Sequence, residues 1–236
     1  MKLILREVEK SFAENKVIQK ASYEFEKGKI YGLLGRNGSG KTTLFDLISK
    51  KKNLDGGSIF LEENGVQREI KEEDLFYMVA NPLLPNFLTG REFLQFFMDV
   101  NRQYIREERT IDQLFQWINL ESKERDRLIQ GYSLGTRNKL QMLMFVLMAP
   151  PIILMDEPLT SLDVLVQMTI KNLLKEVEGD HIILFSTHIL QLAKDLCDEV
   201  VILHKGLLSG IPFHELENED FERQLTERLQ GDQNDQ

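Results

Sequence analysis

The sequence of 236 residues predicts an α/β fold, with a parallel sheet carrying helices on its faces and an all-helical insert in the middle of the chain. Three observations predict it. Short apolar runs alternate with helical stretches in the first and last parts of the chain. Between about Pro85 and Ala149 glycine is rare, and apolar residues recur at helical spacing. At Leu34 an apolar run passes into a glycine-rich loop and then straight into a helix.

Leu3 to Lys10 and Val17 to Glu26 hold strand-like apolar positions, joined by a polar turn around Glu14-Asn15. Lys27-Gly28-Lys29 is a second turn, and Ile30 to Leu34 is a buried strand. Thr42 to Lys50 reads as a helix. Asp55-Gly56-Gly57 turns into a strand from Ser58 to Leu61, and Leu75 to Ala80 forms another, ending at Asn81-Pro82. In the insert, Phe93, Phe96, Phe97 and Val100, then Ile111, Leu114, Phe115 and Ile118, mark amphipathic helices. The phenylalanine stripe and Trp117 read as core. After Pro150-Pro151, strands are expected at Ile152 to Met155, Ile182 to Phe185 and Val200 to Leu203. Helices from Val164 to Val177 and from Ile189 to Leu196 separate them.

Hydrophobic residues at 42% and charged residues at 28% describe an ordinary globular chain. The 29 basic and 38 acidic residues leave a net charge of −9, which argues against bulk binding to nucleic acid. The acid is concentrated: Ile211 to Gln236 holds eight acids against two bases. Its stretch from Glu215 to Leu229 reads as a short amphipathic helix before a frayed polar end. The single cysteine, Cys197, excludes an internal disulfide and a multi-cysteine zinc site, and reads as a buried small hydrophobe. His181, His204 and His214 show no ligand spacing. The first residues are too short an apolar run for a signal peptide, and the longest apolar stretch, Met142 to Met155, is broken by Pro150-Pro151. The expectation is a cytoplasmic chain that does not itself cross a membrane.

Gly35-Arg36-Asn37-Gly38-Ser39-Gly40-Lys41-Thr42 matches G-x-x-x-x-G-K-[ST] between a strand and a helix. Glycines let backbone N–H groups converge on phosphate oxygens, and the helix start adds its positive dipole end. Lys41 supplies a point charge for the β- and γ-phosphates, and Thr43 a further hydroxyl. The Thr42 hydroxyl is a hard ligand for Mg²⁺. Ile152-Ile153-Leu154-Met155-Asp156-Glu157 is an apolar strand that delivers two acids to its carboxyl end. Asp156 is placed to hold Mg²⁺ through its water shell. Glu157 is expected on the opposite face, where it polarises an attacking water.

These residues resemble the nucleotide-binding subunit of ATP-binding cassette (ABC) transporters. Tyr132-Ser133-Leu134-Gly135-Thr136, opening an apolar helix from Leu140 to Met148, resembles the signature loop. Its usual form is Leu-Ser-Gly-Gly-Gln, and this variant is similar to that of exporters whose ATPase is a separate polypeptide. Ser161-Leu162-Asp163 resembles the D-loop, and Phe185-Ser186-Thr187-His188 the H-loop with His188 as its switch residue. Phe12 stands where the family stacks an aromatic on adenine. The resemblance covers roughly Met1 to Gly210.

The resemblance implies a P-loop NTPase of ABC type: a mixed-sheet core, an N-terminal antiparallel sub-sheet and an inserted helical subdomain at about residues 84 to 149. It implies Mg²⁺-dependent ATP hydrolysis, with Asn37, Gly38, Ser39, Gly40, Lys41, Thr42 and Thr43 around the phosphates and Glu157 and His188 at the γ-phosphate. Ser133, Gly135 and Asp163 would meet a nucleotide held by a second subunit, in a homodimer or heterodimer. The dimer would drive a separately encoded membrane permease, docked near Asn81 to Arg91, from the cytoplasmic face and in the direction of export. Two departures stand out. Ala80, followed by Asn81, occupies the place of the family's glutamine before the helical insert, and Thr136 replaces the signature glutamine. The first keeps open a soluble or regulatory ATPase with slow hydrolysis and no transport role. A GTPase is disfavoured because Asn138-Lys139-Leu140-Gln141 lacks the aspartate of the base-reading motif.

Overall fold

A computed structural model describes residues 1–105, 108–159 and 164–211. The chain opens with β1 (Lys2–Phe12), β2 (Asn15–Glu26), β3 (Lys29–Leu34), α1 (Lys41–Ile48), β4 (Gly56–Glu63), β5 (Val66–Arg68) and β6 (Leu75–Met78). Helices α2 (Gly90–Val100), α3 (Ile111–Trp117), α4 (Ser122–Arg125) and α5 (Leu134–Met148) follow. Strand–helix alternation resumes with β7 (Ile152–Met155), α6 (Val164–Val177), β8 (Ile182–Thr187), α7 (Leu190–Leu196), β9 (Glu199–His204) and β10 (Leu207–Ile211).

One sheet has the order β10-β9-β3-β8-β7-β6, parallel throughout except for the edge strand β10. The second, β2-β1-β4-β5, is antiparallel. The parallel strands are apolar on both faces because both faces are covered. Ile153, Met155, Ile183 and Phe185 pack with the helices of the insert and with α7, whereas Ile152, Leu154, Ile182 and Leu184 pack with β1 and α1. Each such side chain contributes about 1.5–3 kcal/mol on burial. A Cβ at Gly32 would lie 2.7 Å from Cys197 Sγ and 3.2 Å from Ala193 Cβ, so α7 approaches β3 closely only because residue 32 has no side chain. Burial pushes the Cys197 thiol up from its ordinary range, which leaves it unreactive.

The helices of the insert start on local chemistry. Thr89 and Thr110 each accept a hydrogen bond from the backbone three residues on, and the side-chain oxygens of Glu92 and Gln113 accept one from the cap N–H. α5 ends at Ala149, in the left-handed region at φ 43°, and Pro150-Pro151 prevents continuation.

Several elements depart from expectation. The strand expected through Ala80 stops at Met78, and α5 begins at Leu134 rather than Leu140. The short β5 and the edge strand β10 carry too little apolar pattern to be read from sequence. Phe93 is core, but Phe96 is 59% exposed, because it sits on the outer side of α2. Trp117 is half-buried; its Nε1–H donates to Glu176 and the Arg109 guanidinium lies 3.9 Å above its ring. The helix expected from Glu215 lies outside the described residues. Among the described residues no helix is long and apolar enough to cross a membrane.

Candidate functional site

Parallel pairing brings three strand ends to one edge. Leu34 of β3 is level with Thr187 of β8, and Met155 of β7 is level with Phe185 of β8 and Met78 of β6. The glycine-rich loop, Asp156-Glu157 and His188 therefore emerge together, where open α/β sheets bind ligands. The Asp156 N–H donates to the Met78 carbonyl at 2.9 Å, which places Ala80 beside the acids.

Gly40 immediately precedes α1 at φ 102°, and a Cβ there would stand 2.7 Å from Val17 Cγ1. Both backbone and space require glycine. Lys41, the first residue of α1, is buried. Its Nζ donates to the carbonyls of Gly35 (2.7 Å) and Arg36 (3.2 Å) and lies 3.6 Å from the Glu157 carboxylate. Burial lowers the Lys41 pKa, against the opposing pull of the Glu157 and Asp156 carboxylates.

Both oxygens of the buried Asp156 are engaged. Thr42 Oγ1 donates to Oδ2 at 2.7 Å, and Ser186 Oγ donates to Oδ1 at 2.6 Å. The same Ser186 oxygen accepts the Glu157 N–H at 2.9 Å. Glu157 has φ 50°, a left-handed conformation that costs a non-glycine residue about 1–3 kcal/mol. The expectation that Glu157 faces away from Asp156 is thereby corrected: the strand ends at Met155, and the left-handed turn brings both acids into one cleft. Each Glu157 oxygen lies 3.1 Å from Nδ1 of the exposed His188. A carboxylate only accepts, so Nδ1–H is the donor in this contact, and Nε2 is left for a ligand.

The cleft has a volume of about 350 Å³ and is lined by Phe12, Asn37, Gly38, Gly40, Lys41, Thr42, Thr43, Asp156 and Glu157 among others. Ser39 lines a neighbouring depression with Lys16, Arg36 and Lys205, and its Oγ is buried without a partner. Ser133 and Gly135 lie elsewhere. Ser133 caps α5, its Oγ accepting the Thr136 N–H at 3.1 Å, and neither residue lines the cleft. Asp163 lies outside the described residues. Sequence reasoning missed Ser186 and Val17. A serine near the end of an apolar strand, followed by Thr187, was the available signal for Ser186. Val17 offers none.

The donor set suits a nucleotide with a divalent cation. Loop amides and a buried ammonium meet phosphate charge, the open left-handed Gly38 keeps the backbone approachable, and Thr42 with Asp156 presents hard oxygens.

The ABC transporter family profile matches residues 18–160. The ABC transporter ATP-binding protein YdbJ of Bacillus subtilis, itself uncharacterized, is 33% identical over 204 residues, covering 84% of this chain and 65% of its own length, so the chain spans just under two thirds of that relative. A probable sulfate/thiosulfate import ATP-binding protein, CysA of Chlorella vulgaris, is 26% identical, covering 89% of this chain and 91% of its own. A solved ATP-binding subunit of an ABC transporter superposes with a TM-score of 0.78 at 25% identity, over 97% of this chain and 95% of its own. The chain belongs to the ABC transporter family, as one of its ATP-binding ATPase subunits.

Proposed function

We propose that this chain binds and hydrolyses MgATP in the cleft to power transport through a separately encoded membrane permease. The convergence of Lys41, Asp156, Glu157 and His188 on one edge of the sheet carries this reading. Lys41 and the amides of Gly38 to Thr43 hold the β- and γ-phosphates, and Phe12 stacks on the base. Thr42 and Asp156 hold Mg²⁺, which when bound offsets the charge that develops on the transferring phosphate. Glu157 orients or deprotonates the water, and His188 hydrogen-bonds the γ-phosphate. Positioning and electrostatics supply most of the acceleration in such chemistry.

Ser133 and Gly135 open α5 away from the cleft of their own chain. That supports a dimer, of two copies or with a paralogue, in which the start of α5 completes the partner's cleft. The working unit is residues 1–210, with the helical block at 84–149 as its docking part and 211–236 as an acidic appendage. Leu83 and Phe87, 91% and 77% exposed between β6 and α2, support docking of the permease there, on the cytoplasmic face of a membrane. The signature variant supports export, and transport assays in vesicles of either orientation test the direction. Affinity capture of the chain from membranes tests the central claim. An integral membrane protein is expected to copurify and to raise ATP turnover. Recovery of ribosomes or DNA instead overturns transport.

A further inference from the structure

The Ser186 hydroxyl bonds to the carboxylate of one acid of the cleft and to the backbone of the other. Ser186 is fully buried at the end of β8. Its single proton goes to Asp156 Oδ1 at 2.6 Å, and its oxygen takes the Glu157 N–H at 2.9 Å. The first bond leaves the Asp156 carboxylate without freedom to rotate, since Thr42 holds the other oxygen. The second pins the Asp156–Glu157 peptide at the point where the chain turns left-handed. At Ala80, where a glutamine side chain could reach the acids, there is only a methyl group.

We propose that Ser186 is a positioning residue that couples the cation ligand Asp156 to the water-orienting Glu157, a role that rests on the assignments proposed above for those two acids. A partner behind a metal ligand typically changes metal affinity or activity by about 10–100-fold when removed. The hydroxyl is needed for orientation rather than for filling space, so a thiol of similar size does not replace it.

The test is ADP binding to the full chain, with and without Mg²⁺, using a fluorescent ADP analogue as probe, alongside steady-state turnover. In Ser186→Ala and Ser186→Cys, affinity without Mg²⁺ should stay within about twofold. The enhancement by Mg²⁺ should fall about tenfold, and kcat about tenfold at nearly unchanged KM for ATP. A general packing defect would weaken binding equally with and without the cation. Wild-type Mg²⁺ enhancement in either variant overturns the inference. Loss of binding even without Mg²⁺ in both also overturns it, because the hydroxyl is then a folding requirement. Asp156→Asn separates the two levels. If it loses the enhancement while Ser186→Ala keeps it, only the role of Ser186 fails. If Asp156→Asn keeps the enhancement, the cation assignment fails and the role of Ser186 fails with it.

Discussion

The carboxyl edge of the parallel sheet and the first turn of α5 hold comparable groups in opposite states of completion. At the sheet edge, polar side chains are bonded to one another inside the chain: Lys41 to loop carbonyls and Glu157, Thr42 and Ser186 to Asp156, His188 to Glu157. At α5, Ser133 is exposed and, among the described residues, bonds only within its own first turn. The first region is preorganised by strand register, which no ligand has to build. The second is an exposed helix start that does not line the cleft of its own chain. One bond that links the two is Asn138 Nδ2–H to the Pro158 carbonyl at 3.3 Å, which ties α5 to the turn after Glu157. On the dimer proposed above, the chain carries a finished half-site and an unfinished one.

Breaking the finished half should have the largest effect. Lys41→Ala removes a buried ammonium aimed at the loop carbonyls, so nucleotide binding should be lost and turnover should fall by at least about 100-fold. Equilibrium binding and phosphate release measure both, and abundant turnover in this variant would refute the phosphate role of the loop. Glu157→Gln comes next and divides binding from chemistry. Turnover should fall about 100-fold while nucleotide affinity is retained, and ATP should now leave a dimer that persists on size-exclusion chromatography. Undiminished turnover without such a dimer would show that Glu157 does not orient the water.

The two halves also differ in how far the sequence discloses them. The loop from Gly35 to Thr42 and the run from Ile152 to Glu157 are contiguous, and their chemistry forces their spacing, so pattern alone located them. Ser186 was hidden because its role depends on the register of β7 against β8, which pairs residues some thirty positions apart. The direction of Glu157 was misjudged for a related reason: strand alternation predicts opposite faces, and a single left-handed residue cancels it. Phe96 was misjudged because helical spacing gives a stripe without saying how wide the covering layer is; Phe93 fills the core and Phe96 does not. β10 was missed because Leu207 to Ile211 pairs on one side only, with β9, and needs no continuous apolar run.

Ser133→Ala sharpens the comparison at the unfinished half. Loss of the cap should lower stability by about 1 kcal/mol in denaturant titration. ADP affinity of the isolated chain should not change, because Ser133 does not line its cleft. Turnover should fall about tenfold if the residue acts on a partner's nucleotide. Weakened ADP binding at concentrations where the chain is monomeric would place Ser133 in its own cleft and remove the contrast.

The smallest effect is expected at Phe12, which belongs to the finished half but lies at its rim. The ring is 42% exposed at the end of β1, and the ammonium groups of Lys10 and Lys52 stand 5.6 Å and 6.0 Å from its centre. An exposed ring adds little to folding, so Phe12→Ala should leave stability within about 0.5 kcal/mol. Stacking on a base is worth about 1 kcal/mol or more, so ATP affinity should weaken about fivefold. Inorganic tripolyphosphate has no base to stack and should bind the variant as it binds the parent chain. The ratio of the two affinities isolates the ring from the loop beneath it. Equal losses for both ligands would mean that Phe12 acts by shaping the loop. No loss for either would mean that the base rests on another part of the cleft, with Val17 an apolar candidate in its lining.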